Sequence, residues 1–429
     1  MQLLTRLITL LFMLQGILMS AQIEKLTIDN HEVPILYEKS TLLPIISLQI
    51  VFKNAGSVAD GDLPGLARLT SMLLNEGTKK MGATAFAEKL ESKAIELKAG
   101  HGRETFVINL DSLKVEFQEG VNLLKELLED PNYTDDALGG VKTKLLGSIK
   151  RKENDYDYIA SRKLYEQIFK GTPIADPAIG NEESVIKVTM DDIKNFVKNK
   201  LVLDNAIVVI GGDLEPNEAK VIAHDILSLL PRGKETKLPF YHASSSDDIV
   251  TKKETEQAYV YFGAPFIAKT TDEDAYKAKV ASFILGSSGF GSRLMEEIRV
   301  KRGLAYSAYA RVNLALSHTY FSGHLQTKLE SQEEAMKVVK EEIAKFVDKG
   351  VTQKELDSAK KFLLGSEPLR TETLSQRLGR TFNDYYQGKP LTHSKDELKL
   401  IEALKLDDLN SYIKSHPEIK ELTFSVVTK

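Results

Sequence analysis

The amino-acid sequence predicts an α+β protein built from two similar domains. Segments that alternate apolar and polar residues, as half-buried strands do, are interspersed with longer segments whose apolar residues recur every three to four positions, as in amphipathic helices. The same order of segments occurs twice, at an offset of about 216 residues. Between the copies, residues 231–248 are polar and punctuated by proline and serine, which predicts a linker.

The repeat is clearest in the middle of each half. In the first copy, an alternating segment at 105–110 precedes two helical patterns, the second of which contains Leu-Leu-Gly-Ser at 145–148. In the second copy, 319–325 precedes two helical patterns, with Leu-Leu-Gly-Ser at 363–366. The period is far longer than that of a solenoid, so we expect a duplicated domain whose helices pack mainly against one face of a sheet. Further strands are predicted at 35–37, 45–51, 207–211, 258–263 and 422–427.

Length and composition exclude several classes of protein. A chain of 429 residues is too long for one ordinary core and favours two or three domains. The net charge is only −4 and both signs are scattered along the chain, so no basic stripe indicates nucleic-acid binding. The absence of cysteine excludes disulfides, zinc ribbons, iron–sulfur clusters, thiol catalysis and a lipoprotein anchor.

The N-terminus has the pattern of a secretory signal peptide. A short head containing Arg6 precedes an apolar run at 7–19, which ends in small residues. The run is too short to favour a membrane span, and a core strand or helix is the alternative. We therefore predict a signal peptide at 1–21, a periplasmic protein, and two domains at 22–230 and 249–429 with the linker between them.

The stretch 286–306 is the most informative part of the chain. A glycine-rich loop leads into a short amphipathic helix, which is predicted to stop at Gly303 and to give way to a strand that presents Tyr306. Arg299 and Tyr306 are seven residues apart across this corner, where both can face one ligand. The structural alternatives are an arginine that caps helix carbonyls and a half-buried tyrosine that packs in a strand.

This stretch, with Ser-Arg-Leu at 292–294 and Lys-Arg-Gly-Leu-Ala at 301–305, resembles the substrate-binding half of the M16 (pitrilysin-like) zinc peptidases. The resemblance implies two homologous α+β domains that form half of a clam-like chamber. It also implies that Arg299 and Tyr306 bind the scissile peptide and stabilise the oxyanion of the tetrahedral intermediate. The residues of the glycine-rich loop, for which turn formation is the alternative role, would lie beside substrate: Gly286, Ser287, Gly289 and Gly291.

The helix that carries the metal in this family is predicted to start at Asp62 and Pro64 and to end at Gly77. The resemblance implies an inverted His-x-x-Glu-His motif here and a distant glutamate as the third ligand. Arginine does not deprotonate to bind a cation, methionine is a poor zinc ligand, and a serine hydroxyl cannot replace a carboxylate base. The four positions are degenerate, so we expect no metal in this chain: Arg68, Ser71, Met72 and Ser148.

The remaining histidines offer no other metal motif. The eight histidines form no His-x-x-Glu-His, His-Glu-x-x-His or His-x₃-His pattern. His318 and His324 can share a strand face, but paired surface histidines are more often solvated than metal-bound.

Three functions are open at this point. The leading hypothesis is the substrate-binding subunit of a heterodimeric periplasmic zinc peptidase of the M16B type, inactive alone, whose homologous partner has an intact His-x-x-Glu-His motif and binds the zinc. Its substrate would be a peptide or unfolded polypeptide. The alternative is an inert M16-like protein that binds peptides or acts as a scaffold. An autonomous hydrolase is disfavoured because no Gly-x-Ser-x-Gly or Ser-x-x-Lys motif with the expected companions is found.

Overall fold

The computed structural model of the protein describes residues 21–429. The predicted signal peptide lies outside the described residues except for Ala21. Within the described part, no helix has the length and apolar character that crossing a membrane requires.

The first half of the described chain contains six strands and eight helices, apart from single 3₁₀ turns. The strands are β1 (Gln22–Ile28), β2 (His31–Lys39), β3 (Ile45–Lys53), β4 (Glu96–His101), β5 (Thr105–Leu113) and β6 (Ala206–Gly212). The helices are α1 (Leu66–Leu74), α2 (Gly82–Glu91), α3 (Phe117–Glu129), α4 (Asp135–Lys152), α5 (Tyr156–Ile168), α6 (Glu182–Lys187), α7 (Met190–Lys200) and α8 (Pro216–Leu227).

The second half contains six strands and seven helices. The strands are β7 (Tyr241–His242), β8 (Ile249–Lys252), β9 (Gln257–Pro265), β10 (Ala305–Leu314), β11 (His318–Lys328) and β12 (Thr423–Thr428). The helices are α9 (Ala275–Ser282), α10 (Arg293–Met295), α11 (Gln332–Lys349), α12 (Gln353–Gly365), α13 (Leu374–Tyr386), α14 (His393–Ala403) and α15 (Leu406–Lys414). Two of them continue into π-helical turns, α9 through Phe283–Ser287 and α10 through Glu296–Val300.

Each half forms one mixed sheet, and the two sheets have the same topology. The first has the order β1-β2-β6-β3-β5-β4 and the second β8-β12-β9-β11-β10, with β7 paired to the start of β11. The pairs β2–β6 and β8–β12 are parallel and every other pair along these two paths is antiparallel. Five strands therefore match in order and direction, so the repeat in the sequence corresponds to a duplicated fold.

The two halves exchange one helix each. Helix α5 of the first half packs on β9 and β12 of the second sheet, and α13 of the second half packs on β2 and β6 of the first sheet. Leu374 and Leu378 of α13 are buried against Leu36 and Val209. The prediction of helices mainly on one face is therefore incomplete, because the opposite face of each sheet is covered by a helix from the other half. All residues of β6 and β12 are buried, as expected for strands covered on both faces.

The predicted linker is partly structured. Residues 231–240 contain neither helix nor strand, whereas Tyr241 and His242 form β7. Arg232 pairs with Asp29, and Lys53 pairs with Glu235, so this segment is attached to the first half. The exact domain limits stay a prediction.

Candidate functional site

The corner that carries Arg299 is built by a capped helix on a buried apolar face. The side chain of Ser292 accepts a hydrogen bond from the backbone N–H of Met295 and donates one to the carbonyl of Gly289. Leu294 and Ile298 are fully buried in the core of the second half. Because these residues anchor one face of the helix, Arg299 is left on the half-buried side that faces away from the core.

A β-bulge at the start of β10 determines where Tyr306 points. Ala305 pairs with Thr327 and Ala308 pairs with Leu325, so three steps on β10 correspond to two on β11. In a regular strand residues three apart face opposite sides, but Ala305 and Ala308 are both buried in the core. The extra residue therefore directs Tyr306 away from the core, and its side chain is 79% exposed.

Arg299 lies between two aromatic rings. Its guanidinium carbon is 4.4 Å from the ring centroid of Tyr306 and 4.6 Å from that of Phe290. Contact with the rings does not engage the N–H groups of the guanidinium in hydrogen bonds, so these donors stay available to a ligand. Among the described residues, no carboxylate pairs with Arg299 and no carbonyl accepts from its side chain. The two structural alternatives, capping by Arg299 and packing by a half-buried Tyr306, are therefore wrong.

The sequence analysis missed Phe290. This residue is at the tip of the glycine-rich loop and is 70% exposed. A large aromatic residue between two glycines, in a loop that has no apolar periodicity, was the available signal. Its ring completes the clamp on Arg299, which the spacing of Arg299 and Tyr306 alone does not indicate.

The neighbouring arginines are held by carboxylates. Arg293 donates to both carboxylate oxygens of Glu355, at 2.5 and 2.8 Å, and Arg302 donates to Glu297 at 2.5 Å. Burial raises the pKa of Glu355, but hydrogen bonds from Arg293 and Thr352 outweigh it and lower that pKa to about 2. Arg302 thus pairs with a carboxylate of its own helix, whereas Glu355 is brought to Arg293 from α12.

The glycine-rich loop has two distinct roles. A Cβ added to Gly286 would lie 2.5 Å from the backbone nitrogen of Ala310, so only glycine allows this segment to rest on the outer edge of β10. Gly289 and Gly291 have positive φ angles and open space around them, and they form the turns that present the tip of the loop. Ser287 lines a neighbouring cleft. The structure thus brings the predicted loop residues beside the Arg299 corner.

The degenerate helix α1 starts differently from the prediction. Its first residue is Leu66, and the carboxylate of Asp60 accepts hydrogen bonds from the N–H groups of Gly65 (2.7 Å) and Ala67 (2.8 Å). Asp60, not Asp62, therefore caps the helix, because Gly65 has a left-handed backbone that turns the chain back toward it. Burial, opposed by these N–H donors, raises the pKa of Asp60 to about 7.

Three of the four degenerate positions pack inside the first half: Ser71, Met72 and Ser148. The hydroxyl of Ser71 is buried and donates to the carbonyl of Arg68 at 2.8 Å, and Met72 packs against the core of the first half. Ser148 is half-buried on α4, which packs against α1. Burial and Arg68 lower the pKa of His101, which keeps this imidazole neutral. In the described part of the chain, no group of three or more His, Asp or Glu side chains is arranged to hold a metal.

The two histidines of β11 do share a face, as predicted, but they do not form a site. They are six residues apart, which is about 20 Å along a strand. His318 is 7% exposed and stacks on Tyr320, and burial lowers its pKa to about 4. His324 stacks on Tyr261. The expectation that they are solvated is wrong, because α5 covers this face of the sheet.

Comparisons with known proteins agree with this geometry. Family models described as "Insulinase (Peptidase family M16)" and "Peptidase M16 inactive domain" match residues 36–182 and 187–363. The "Non-peptidase homolog YmxG" of Helicobacter pylori is 44% identical over 423 residues, which is 98% of each chain. The "Uncharacterized zinc protease YmxG" of Bacillus subtilis is 22% identical over 392 residues, 90% of this chain and 94% of the other.

Among solved structures, the peptidase M16 inactive domain from Pseudomonas fluorescens superposes with a TM-score of 0.87 at 25% identity, covering 95% of this chain and 97% of the other. The predicted fold of two M16-type domains is thereby confirmed. With two family models covering most of its length and a relative 44% identical from end to end, this chain belongs to the M16 peptidase family.

Proposed function

We propose that this chain is the substrate-binding subunit of a heterodimeric zinc peptidase of the M16B type and binds no metal itself. One observation carries the proposal. Arg299 is clamped beside an exposed Tyr306 without a carboxylate partner among the described residues, whereas the positions of the zinc ligands and the base are degenerate. The second half therefore has side chains that can bind a peptide, whereas the first half has no side chains suited to bind zinc at the positions that the family uses.

The pair suits the charge that develops when a peptide bond is attacked. The phenol of Tyr306 can donate a hydrogen bond to the oxyanion of the tetrahedral intermediate, and Arg299 can hold a neighbouring peptide carbonyl by a charge-assisted hydrogen bond. One such donor typically contributes about a hundred- to a thousand-fold in turnover. The zinc, its ligands and the base would come from a homologous partner with an intact His-x-x-Glu-His motif.

An inert M16-like protein that binds peptides or acts as a scaffold is the second candidate. It is favoured by one observation, namely that the relative with 44% identity is described as a non-peptidase homolog. The same exposed pair can bind a peptide carbonyl without contributing to its cleavage. The two candidates differ in whether this chain contributes to cleavage at the zinc of a partner.

The location and substrate belong to the same proposal. The signal-peptide pattern at 1–21 favours the periplasm. If the fold forms half of a clam-like chamber with its partner, the substrate is an extended or unfolded polypeptide, which is recognised through backbone pairing and shape.

Reconstitution with the partner tests the proposal. The mature chain and a secreted M16 homologue from the same organism with an intact motif are purified singly and together, followed by metal analysis and cleavage of a denatured protein. We expect no stoichiometric zinc and no cleavage with this chain alone, and one zinc per pair with cleavage in the mixture.

The other outcomes separate the candidates. A stable complex whose cleavage does not depend on this chain would support the scaffold. Tightly bound zinc and proteolysis in a preparation of this chain alone would overturn both.

A further inference from the structure

A cleft of about 510 Å³ lies on the face of the second sheet that α5 covers. Its walls come from β9, β10 and β11 and from α5, so both halves of the chain contribute to it. Five of its lining residues carry aromatic or imidazole rings: Tyr165, Tyr261, Tyr309, Tyr320 and His324. Its size is within the range of small-molecule and side-chain binding sites.

Three rings form a ladder along one wall. His324 on β11 is paired directly with Tyr261 on β9 and with Tyr309 on β10. The ring centroids are 5.2 Å apart for His324 and Tyr261, and 5.6 Å apart for His324 and Tyr309. Cross-strand neighbours on one face of a sheet meet in this way, so the ladder is part of the sheet and is fixed by its register.

The opposite wall consists of Tyr165 from α5 and Tyr320 from β11. Their hydroxyls are in hydrogen-bond contact and their ring centroids are 5.4 Å apart. Ser322 lies between Tyr320 and His324 on the same face of β11 and lines the cleft. Because this residue is small, the space between the two ring walls stays open.

The cleft is uncharged except at one point. Burial raises the pKa values of Tyr261 and Tyr320 and lowers that of His324, so all three are neutral near pH 7. No Asp, Glu or Lys is among the lining residues. Arg311 supplies the one cationic group of the lining; it is exposed, and no carboxylate among the described residues pairs with it.

The cleft adjoins the Arg299 corner. Met295, one helical turn before Arg299, and Ser307, which follows Tyr306, both line it. From Tyr306 to Tyr309 the strand advances by less than about 10 Å, the length of three extended residues, because the bulge takes up part of this distance. A peptide held at the corner and running along β10 would therefore place a nearby side chain against the ring ladder.

A second cleft shares Tyr309 and Arg311 but has a different character. This cleft of about 530 Å³ is lined by charged groups of both signs, among them Asp272, Glu367 and Lys389. Apolar rings gain little from such a surface, because its charged groups would lose water without gaining a partner. The two sides of Tyr309 thus differ, and only one suits an aromatic side chain.

We propose that the ring-lined cleft is a subsite that selects an aromatic side chain of a bound peptide, with an acidic residue next to it at Arg311. Ring faces and edges favour stacked or edge-to-face contact with a further ring, and the unpaired guanidinium favours a carboxylate. This inference rests on the proposed function in that it takes a peptide as the ligand. It adds the class of side chain that the chain prefers.

Peptide binding to the purified chain alone tests this inference. Fluorescence anisotropy is measured with labelled eight-residue peptides that contain Phe-Asp, Ala-Asp or Phe-Lys at their centre and are otherwise identical. We expect the Phe-Asp peptide to bind at least tenfold more tightly than the Ala-Asp peptide and at least threefold more tightly than the Phe-Lys peptide.

Variants locate the effect. Tyr309→Ala and Tyr309→Leu should each weaken binding of the Phe-Asp peptide about tenfold and leave the Ala-Asp peptide unchanged, and Arg311→Ala should remove the preference for Asp over Lys. Tyr156→Ala removes a ring of α5 that makes an edge-to-face contact with Tyr259 outside the cleft, and it serves as the matched control. Thermal unfolding of each variant checks its fold.

Three outcomes would overturn the inference: equal affinity for the Phe-Asp and Ala-Asp peptides, an equal loss for both in Tyr309→Ala, or no binding of any peptide. Failure of the proposed function is distinguishable. Selective binding by this chain without cleavage in the reconstituted pair would refute the peptidase and keep the subsite. Cleavage by the pair without aromatic preference would refute the subsite alone.

Discussion

The two halves have the same five strands in the same order, yet the corner between helix and edge strand differs between them. In the first half, the side chain of Asn75 bonds both the N–H and the C=O of Ala99 on the edge strand β4. In the second half, the hydroxyl of Ser282 accepts from the N–H of Val312 on β10, and Gly286 rests on the same strand. In both halves the end of a helix covers the edge strand, β4 or β10. The fold therefore requires this contact whether or not the residues beside it bind a ligand.

The corners differ in what they expose. The first turns Ser71 into the core, whereas the second holds Tyr306 outward on a bulge beside Arg299. The packing of each corner and the chemistry proposed for it thus depend on different residues.

The largest expected difference between the two corners is in the peptidase activity of this chain reconstituted with its metal-bearing partner. Arg299→Ala and Tyr306→Phe should each lower kcat/KM at least tenfold, toward the roughly 3–4 kcal/mol that one oxyanion donor contributes. Arg68→Ala, at the corresponding helix of the first half, should stay within about twofold, since its side chain serves no catalytic step. Full activity in Arg299→Ala and Tyr306→Phe would show that the pair has no catalytic role.

A second difference concerns the carboxylates at two helix starts. Asp60 accepts only from backbone N–H groups and has a pKa of about 7, whereas Glu355 at the start of α12 accepts from Arg293 and has a pKa of about 2. An unfolded Asp or Glu has a pKa near 4. Asp60 therefore binds its proton more tightly in the folded state, and Glu355 less tightly.

These opposite shifts predict opposite pH dependences. Between about pH 4 and 7 the folded state holds the proton on Asp60, so stability falls as pH rises, by about 4 kcal/mol in total. Stability from Glu355 is present above about pH 4.3 and is lost as pH falls toward 2, by about 1–2 kcal/mol after allowance for solvent screening. Urea unfolding from pH 2 to 8 should show that Asp60→Asn removes the first slope and Glu355→Gln the second. Unchanged slopes in both variants would contradict the assignment.

Substitution of two glycines, one from each half, tests how closely the glycine-rich loop packs against the edge strand β10. Gly286→Ala should lower the free energy of unfolding by about 1–3 kcal/mol, because its Cβ would overlap the backbone of Ala310. The control is Gly139→Ala in α4, where an added Cβ meets no atom within 4 Å. That change should raise stability by about 0.5–1 kcal/mol, since alanine favours a helix. Thermal or urea unfolding measures both, and equal shifts would argue against the close approach.

The smallest expected effect is that of the aromatic clamp. Phe290→Ala removes one ring from Arg299, and an exposed cation–π contact contributes about 0.5–1 kcal/mol, so kcat/KM of the reconstituted pair should fall about two- to fivefold. Phe290→Tyr keeps a ring and should retain activity. If Phe290→Ala behaves as the parent protein does, the ring does not position Arg299.

Much of the fold was predictable because it depends on local patterns. Apolar spacing indicated the strands and helices, and the repeated Leu-Leu-Gly-Ser indicated the duplication. The residues at 68, 71 and 72 predict the loss of metal chemistry, because the chemical nature of a side chain does not depend on packing. Arg299 and Tyr306 were predicted as site residues from a motif that resembles a known family, and their role stays a prediction.

Other features depended on contacts between distant parts of the chain. Arg293 meets Glu355, 62 residues later, and α5 and α13 cross to the opposite halves. The bulge that turns Tyr306 outward exists only because β10 and β11 pair in one register. Apolar periodicity indicates which face of a helix or strand is buried, but packing of the whole molecule selects the partner that buries it. For this reason only the tertiary structure showed the exchanged helices, the aromatic contacts of Arg299 and the ring-lined cleft.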